Sequence, residues 1–254
     1  MKLLPSLDAH AHIDPRRNSN ELMDTGAVLA MTLSPAEGEV DNRNEPHIVW
    51  RVGCHPRFAK AQESFVAEKF RSLAEKTALV GEIGLDTGSR VPLETQLQTF
   101  RQILEILTDL PRIASIHSYR ATGLALKELR RRPIAAPILH GWTGSAAETS
   151  EAVSLGCYFS IHSAVARQSK FRTRVPLERI LVESDHGYND PPAAIPLRVG
   201  WVEHLVAQQY GLGVKDIRRA AWQNFGTVIQ KTGTLGLLPE VFASNLALAA
   251  RSAL

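Results

Sequence analysis

Six side chains able to hold a metal ion, His10, His12, Glu82, His117, His140 and Asp185, are spread along the chain, yet each falls at the carboxyl end of a segment with strand-like composition. In a βα barrel the strand ends open into one mouth, so groups far apart in sequence converge there. Period-two alternation puts His10 and His12 on one face of their strand. Imidazole and carboxylate donors suit Zn, Mn or Mg with water completing the shell, and no thiolate is required. A lone histidine at a strand end is more often a hydrogen-bonded core residue than a ligand. Six groups are different, because four imidazoles and two carboxylates around one cavity are costly to bury unless cations compensate the acids and accept the imidazole lone pairs. Six ligands exceed the three that one catalytic zinc takes, so two divalent ions bridged by a carboxylate and a hydroxide are expected.

Strands must present these groups, and short apolar runs do alternate with longer segments of helical period almost to the end of the chain. Strands are predicted near Leu3 to Leu7, Ala27 to Leu33, His47 to Val52, Ala78 to Ile83, Arg112 to Ile116, Ala135 to Leu139, Gly156 to Ile161 and Arg179 to Glu183. About eight parallel strands predict an α/β fold of the TIM-like (β/α)8 barrel type. Between them, Gln62 to Lys76, Leu93 to Asp109, Thr122 to Arg131, Ala146 to Leu155 and Pro196 to Gly211 carry apolar residues at three and four spacing, as barrel-facing helices do. Ser145 is placed to cap the fourth of these. The stretch from Ser34 to Pro46, rich in Pro, Gly, Asn and acids, reads as a loop in place of the second barrel helix. A helix from Val214 to Thr232 follows the eighth unit. An amphipathic tail from Pro239 to Ser252 comes next, its Val241, Phe242, Leu246 and Leu248 expected to pack beneath the barrel.

The 254 residues match the size at which one such barrel closes, so a single domain over 1–254 is expected. With 44% hydrophobic and 22% charged residues the chain is neither disordered nor collagen-like. Cys54 and Cys157 are too few for a disulfide scaffold and too isolated for a cysteine zinc cage, which fits a reducing cytoplasm. The leucines before Pro5 are too short an apolar stretch for a signal peptide, and no run of about 18 apolar residues suggests a membrane span. The net charge of 29 minus 26, or +3, is compatible with a polyanionic partner without demonstrating one. No GxSxG elbow or Walker A loop points to another chemistry.

The ligands sit in recognisable phrases: Asp8-Ala-His10-Ala-His12-Ile-Asp14, Gly53-Cys-His55-Pro56, Gly81-Glu82-Ile-Gly84-Leu-Asp86, Ile116-His117-Ser118, His140-Gly-Trp142-Thr-Gly144 and Glu183-Ser-Asp185, with Gln96 and Phe100 on a helix between. This ordered set resembles the TatD family of metal-dependent deoxyribonucleases over most of the chain. The resemblance implies a TIM-like barrel with one ion near His10, His12 and Asp185 and another near His117 and His140, bridged by Glu82. It implies phosphodiester hydrolysis in which a bridging hydroxide attacks phosphorus in line. Glu82, Asp185 and His55 are then the catalytic residues, Asp185 accepting a proton and His55 touching the scissile or a neighbouring phosphate. The implied substrate is DNA, most simply a single strand attacked from an end. Some TatD-like proteins are encoded beside anti-phage defence genes, which adds the reading of a partner-dependent subunit of a multiprotein system.

The chain departs from the family pattern beside its ligands. Tyr119 stands where an arginine is usual, with Arg120 after it; Gly141 replaces a usual cysteine; Thr87 and Gly88 replace an aromatic pair; and His186-Gly187-Tyr188 follows Asp185 where alanine and proline are usual. These changes mark a divergent branch and a shifted substrate preference, with hydrolysis of another ester, in an aminoacyl-tRNA or a small molecule, as the alternative. The absence of a lysine at the Glu82 position argues against a carbamylated-lysine amidohydrolase. Arg16, Arg17, Arg57, Lys60, Arg90, Arg120, Arg167 and Lys170 follow strands and are expected around the mouth, where Arg57 and Arg120 hold a polyanion and Trp142 stacks a base. The run Arg130 to Arg132 ends a helix before a strand and is expected at the opposite face as a solvated helix end.

Overall fold

In the computed structural model, residues 3–14, 19–22, 25–36, 45–168, 174–187 and 199–251 are described. Among the described residues there are eight parallel strands: β1 (Leu7–His12), β2 (Ala27–Met31), β3 (Ile48–Trp50), β4 (Leu79–Gly84), β5 (Ile113–His117), β6 (Ala136–Leu139), β7 (Tyr158–Ile161) and β8 (Ile180–Val182). They pair in chain order as a piece of three strands, β1 to β3, and a piece of five, β4 to β8. Two parallel bridges, Val52 with Val80 and Ala11 with His186, join the pieces end to end and close the ring. The fold is the TIM-like barrel that the alternating pattern predicts.

Both seams run through glycine. At the first, Gly81 N donates to Val52 O at 2.9 Å and Cys54 N to Glu82 O at 3.0 Å; a Cβ on Gly53 between them would sit 2.4 Å from Thr32 O and 2.5 Å from Gly81 O. At the second, Asp185 N donates to His10 O at 3.1 Å and His12 N to His186 O at 2.8 Å. Gly187 follows with φ 92°, and a Cβ there would lie 2.8 Å from Cβ of His12. Only a residue without a side chain permits these approaches.

The helices are α1 (Ala59–Glu63), α2 (Ala67–Ala74), α3 (Leu93–Asp109), α4 (Thr122–Arg131), α5 (Ala146–Ser154), α6 (Ser163–Ala166), α7 (Val199–Tyr210), α8 (Val214–Thr232) and α9 (Glu240–Arg251). Ser145 caps α5 as expected, its Oγ accepting from Glu148 N while Ser145 N donates to the Glu148 carboxylate. Two expectations are corrected. The first strand begins at Leu7 and not at Leu3, because its inward groups are Asp8, His10 and His12, which a search for apolar runs passes over. The helix expected from Gln62 to Lys76 is two helices, because Val66 is extended (φ −127°, ψ 117°) and β-branched. The described parts of the Ser34 to Pro46 loop, 34–36 and 45–46, contain no helix, and the rest lies outside the described residues.

The larger core lies between the strands and their helices, with Phe70, Phe100, Leu126 and Val206 fully buried. A second core plugs the amino-terminal end of the barrel. There the first residues of six strands, Leu7, Ala27, Leu79, Ile113, Ala136 and Tyr158, pack with Trp222 and Phe225 of α8 and Phe242 of α9. Trp222 stands 5.8 Å from the Phe242 ring and donates its Nε1 proton to Pro5 O at 2.9 Å. Sealing this end leaves the carboxyl end open for chemistry. Trp222→Ala should cost about 3–5 kcal/mol of unfolding free energy in urea titrations; a loss under about 1 kcal/mol would contradict this packing.

Candidate metal centre

The six sequence-predicted ligands do meet, around Glu82. Its carboxylate projects from β4 into the barrel and is 1% exposed. Oε2 lies 3.4 Å from His10 Nε2, 3.2 Å from His12 Nε2 and 3.2 Å from His55 Nε2. Oε1 lies 2.5 Å from His117 Nδ1 and 3.8 Å from His140 Nε2. Asp185, at the end of β8, closes the circle with Oδ1 3.9 Å from His140 Nε2. The strands that present His10 and Glu82 both shift register where these side chains emerge, β1 between Asp8 and Ala11 and β4 between Val80 and Ile83. Such irregularities re-aim side chains beside active sites.

These donors fit divalent cations. Nitrogens bound tetrahedrally at the usual zinc distance lie about 3.3 Å apart, and His10 Nε2 and His12 Nε2 are 3.3 Å apart with Glu82 Oε2 at nearly the same distance from each. The donor atoms fall into three sets: His10, His12 and Glu82; His55, Glu82 and His117; and His10, His140 and Asp185. Glu82 is therefore shared by two sets, as a bridging carboxylate is. The grouping differs from the expected one in two respects: His140 stacks on His10 with centroids 3.7 Å apart and pairs with Asp185, and His55 joins His117 as a donor.

A second layer of groups fixes the rings, and the sequence reading left it out. His10 Nδ1 is 3.0 Å from Ser115 Oγ. His140 Nδ1 is 2.9 Å from Glu183 Oε2, and Glu183 also accepts from Ser160 Oγ and from Gly141 N. His117 Nε2 is 3.1 Å from Asp86 Oδ2. Buried Gln96 on α3 accepts from Asp86 N at 2.8 Å and donates to Asp86 O at 3.1 Å. Carboxylates behind imidazoles set tautomer and orientation. Asp86 and Glu183 were visible in the phrases that carry ligands, but nothing in their types separates a ligand from a ligand's support. His162 also lines the site and stands, like the ligands, just beyond a strand.

Burial alone would raise the Glu82 carboxyl, but the facing His55, His117 and His10 imidazoles hold it well below the usual range. Burial, with His140 beside it, pushes His10 well below 6.5, so its lone pair is available. For His140 burial works the other way from its partners, and Glu183, Glu82 and Asp185 raise it to about 10. Burial lifts Asp185 to about 6, and Asp8, whose Oδ1 accepts from Ser184 N, to about 7.

The surrounding residues sort differently from expectation. Arg57 lines the mouth and pairs with Asp86 at 3.6 Å. Arg120 is exposed, with its guanidinium over the Tyr119 ring. Trp142 does not reach the mouth: it is 3% exposed, packs on Phe159 and donates to Thr149 Oγ1 at 2.9 Å, so it is a core residue and cannot stack a base. Lys60, Arg90 and Arg167 are exposed, whereas Arg16, Arg17 and Lys170 lie outside the described residues. Arg130, Arg131 and Arg132 each face a carboxylate, of Glu151, Glu128 and Glu105, as a solvated helix end does.

A histidine whose folded pKa lies near 10 stabilises the fold fully below about 6.5 and loses that contribution as pH rises towards 10. The EDTA-treated protein should therefore lose melting temperature across that window, and Glu183→Gln should flatten the slope. A flat wild-type profile would refute the His140 assignment.

With this geometry in view, the chain matches the family model described as TatD related DNase over residues 7–230. It is 27% identical to the uncharacterized metal-dependent hydrolase YcfH of Escherichia coli K12, over 86% of this chain and 93% of that protein. It is also 27% identical to the 3'-5' ssDNA/RNA exonuclease TatD of Klebsiella pneumoniae, over 72% of this chain and 76% of that one. The crystal structure of YjjV, a TatD homologue from Escherichia coli K12, shares the fold with a TM-score of 0.76 at 21% identity, covering 88% of this chain and 97% of the other. A TatD family hydrolase from Entamoeba histolytica shares it at 0.71 and 12% identity, over 90% and 99%. A family match over nearly the whole barrel, together with the ring of donors around Glu82, places the chain in the TatD-related DNase family of metal-dependent hydrolases.

Proposed function

We propose that this protein is a nuclease that binds two divalent ions, Mg, Mn or Zn, and hydrolyses phosphodiester bonds of single-stranded DNA from an end. The observation that carries the reading is the sharing of Glu82 between two donor sets at the floor of a cavity of about 490 Å³. That volume is typical of a small-molecule site and suits a strand terminus better than the flank of a duplex. Relatives that carry the name ssDNA/RNA exonuclease support the same substrate class. Among the described residues no helix is long and apolar enough to cross a membrane.

Divalent ions held there would activate water and neutralise phosphate charge. The protein's own groups do the rest. His10, His12 and Glu82 would hold one ion, with His140 and Asp185 as further donors beside His10, and His55 and His117 would hold the other with Glu82. Asp86 and Glu183 keep the His117 and His140 rings in place, and Arg57 offers a cation to a phosphate at the mouth. Asp185, with Oδ1 3.9 Å from His140 Nε2 at the rim of the donor ring, is placed to accept a proton.

End-labelled single-stranded DNA incubated with Mn or Mg should give a ladder that EDTA and Asp185→Asn both abolish. Glu82→Gln should lower the rate more than about 100-fold, while Arg131→Ala, on a paired surface cation, should stay within about twofold. Elemental analysis after reconstitution should find about two ions per chain. Bound metal without any cleavage would move the assignment to another ester substrate, and no bound metal would overturn it.

A further inference from the structure

Tyr119 is 52% exposed, lines the cavity and stands two residues beyond His117. The Arg120 guanidinium lies 5.2 Å from its ring centroid. Arg120 has φ 52°, an uncommon conformation for a residue with a side chain. The loop after β4 clasps this turn: Thr87 N donates to Tyr119 O at 3.3 Å and Thr87 Oγ1 to Arg120 O at 3.0 Å. Gly88, held by its N–H to Asp86 Oδ1 at 2.7 Å, lies beside the Tyr119 ring, where a Cβ would meet Cε1 at 3.4 Å, an ordinary contact distance. The Thr87-Gly88 pair thus holds the backbone of the turn that carries Tyr119 and lies beside its ring.

An exposed aromatic ring carrying a guanidinium at the lip of a nuclease cavity is the chemistry that holds an unpaired base. We propose that Tyr119 and Arg120 form the stacking platform for a nucleobase of the bound strand, the place that Trp142 does not fill. A backbone held out of its preferred region at a cavity edge is characteristic of functional sites. Stacking on a π-face tolerates any base, so the platform would grip a strand without reading its sequence. The inference rests on the nucleic-acid reading above, but binding alone tests it.

Affinity would be measured by fluorescence anisotropy in Mn, using labelled oligonucleotides with a hydrolysis-resistant phosphorothioate backbone, either carrying bases or fully abasic. The wild type should bind the base-carrying strand about tenfold more tightly. In Tyr119→Ala that ratio should collapse towards one, with metal content unchanged, and Tyr119→Phe should restore it. An equal ratio in wild type and Tyr119→Ala would overturn the platform, as would a wild type indifferent to the bases. Cleavage of ordinary DNA together with binding that is equal for base-carrying and abasic strands would overturn the platform while leaving the nuclease reading intact; base-dependent binding without cleavage of ordinary DNA would do the reverse.

Discussion

The constraint that organises this molecule is a single carboxylate, Glu82, kept charged where water is almost excluded. An ionised carboxyl in such a place is costly unless positive charge or hydrogen-bond donors surround it. Here imidazoles from four other places in the chain converge on its two oxygens. Their convergence demands strands of matched height, register shifts where β1 and β4 release their side chains, and glycines where backbones must cross closely. The plug of Trp222, Phe225 and Phe242 at the far end is the apolar counterpart, because a barrel with a polar mouth needs its core elsewhere.

Around that centre the polar contacts extend outward in an ordered way. Glu183 fixes His140 and is itself fixed by Ser160 and Gly141; Asp86 fixes His117 and is held by Gln96 from a helix. The buried Arg51 guanidinium, beside Gly81, adds a cation attracted by Glu82, Asp8 and Glu183. Supporting groups of this kind restrict ring rotation, which is what distinguishes a preorganised site from a cluster of histidines. Positioning is thereby distributed over α3, strands β5 and β7, and the first residues beyond β4, β6 and β8.

Much of this was legible in the amino-acid order. Helix α3 and helix α4 lie where their apolar spacing placed them, because long amphipathic patterns are the strongest local signal. The candidate ligands, which the fold brings together around Glu82, were legible because chemistry restricts such groups to a few residue types at strand ends. Local pattern failed where function overrode it: β1 hid behind its own histidines and aspartate, and Trp142 read as a mouth residue because spacing gives position along a strand but not the direction of a side chain. The grouping of His55 with His117, and of His140 with Asp185, depends on the third dimension alone.

The two seams of the barrel give this centre a structural role beyond its chemistry. His10, His12 and His55 belong to the three-stranded piece and its extension, while Glu82, His117 and His140 belong to the five-stranded piece, and the backbone joins the pieces only sparsely. Each piece can assemble from pairings between neighbouring strands, whereas joining β1 to β8 brings together residues far apart along the chain, the slow kind of contact in folding. Side chains from both pieces converge on Glu82, so the centre is complete only where the pieces have met. A cation held by donors from both pieces would bind the closed barrel and not the open one, and so would stabilise the closed form.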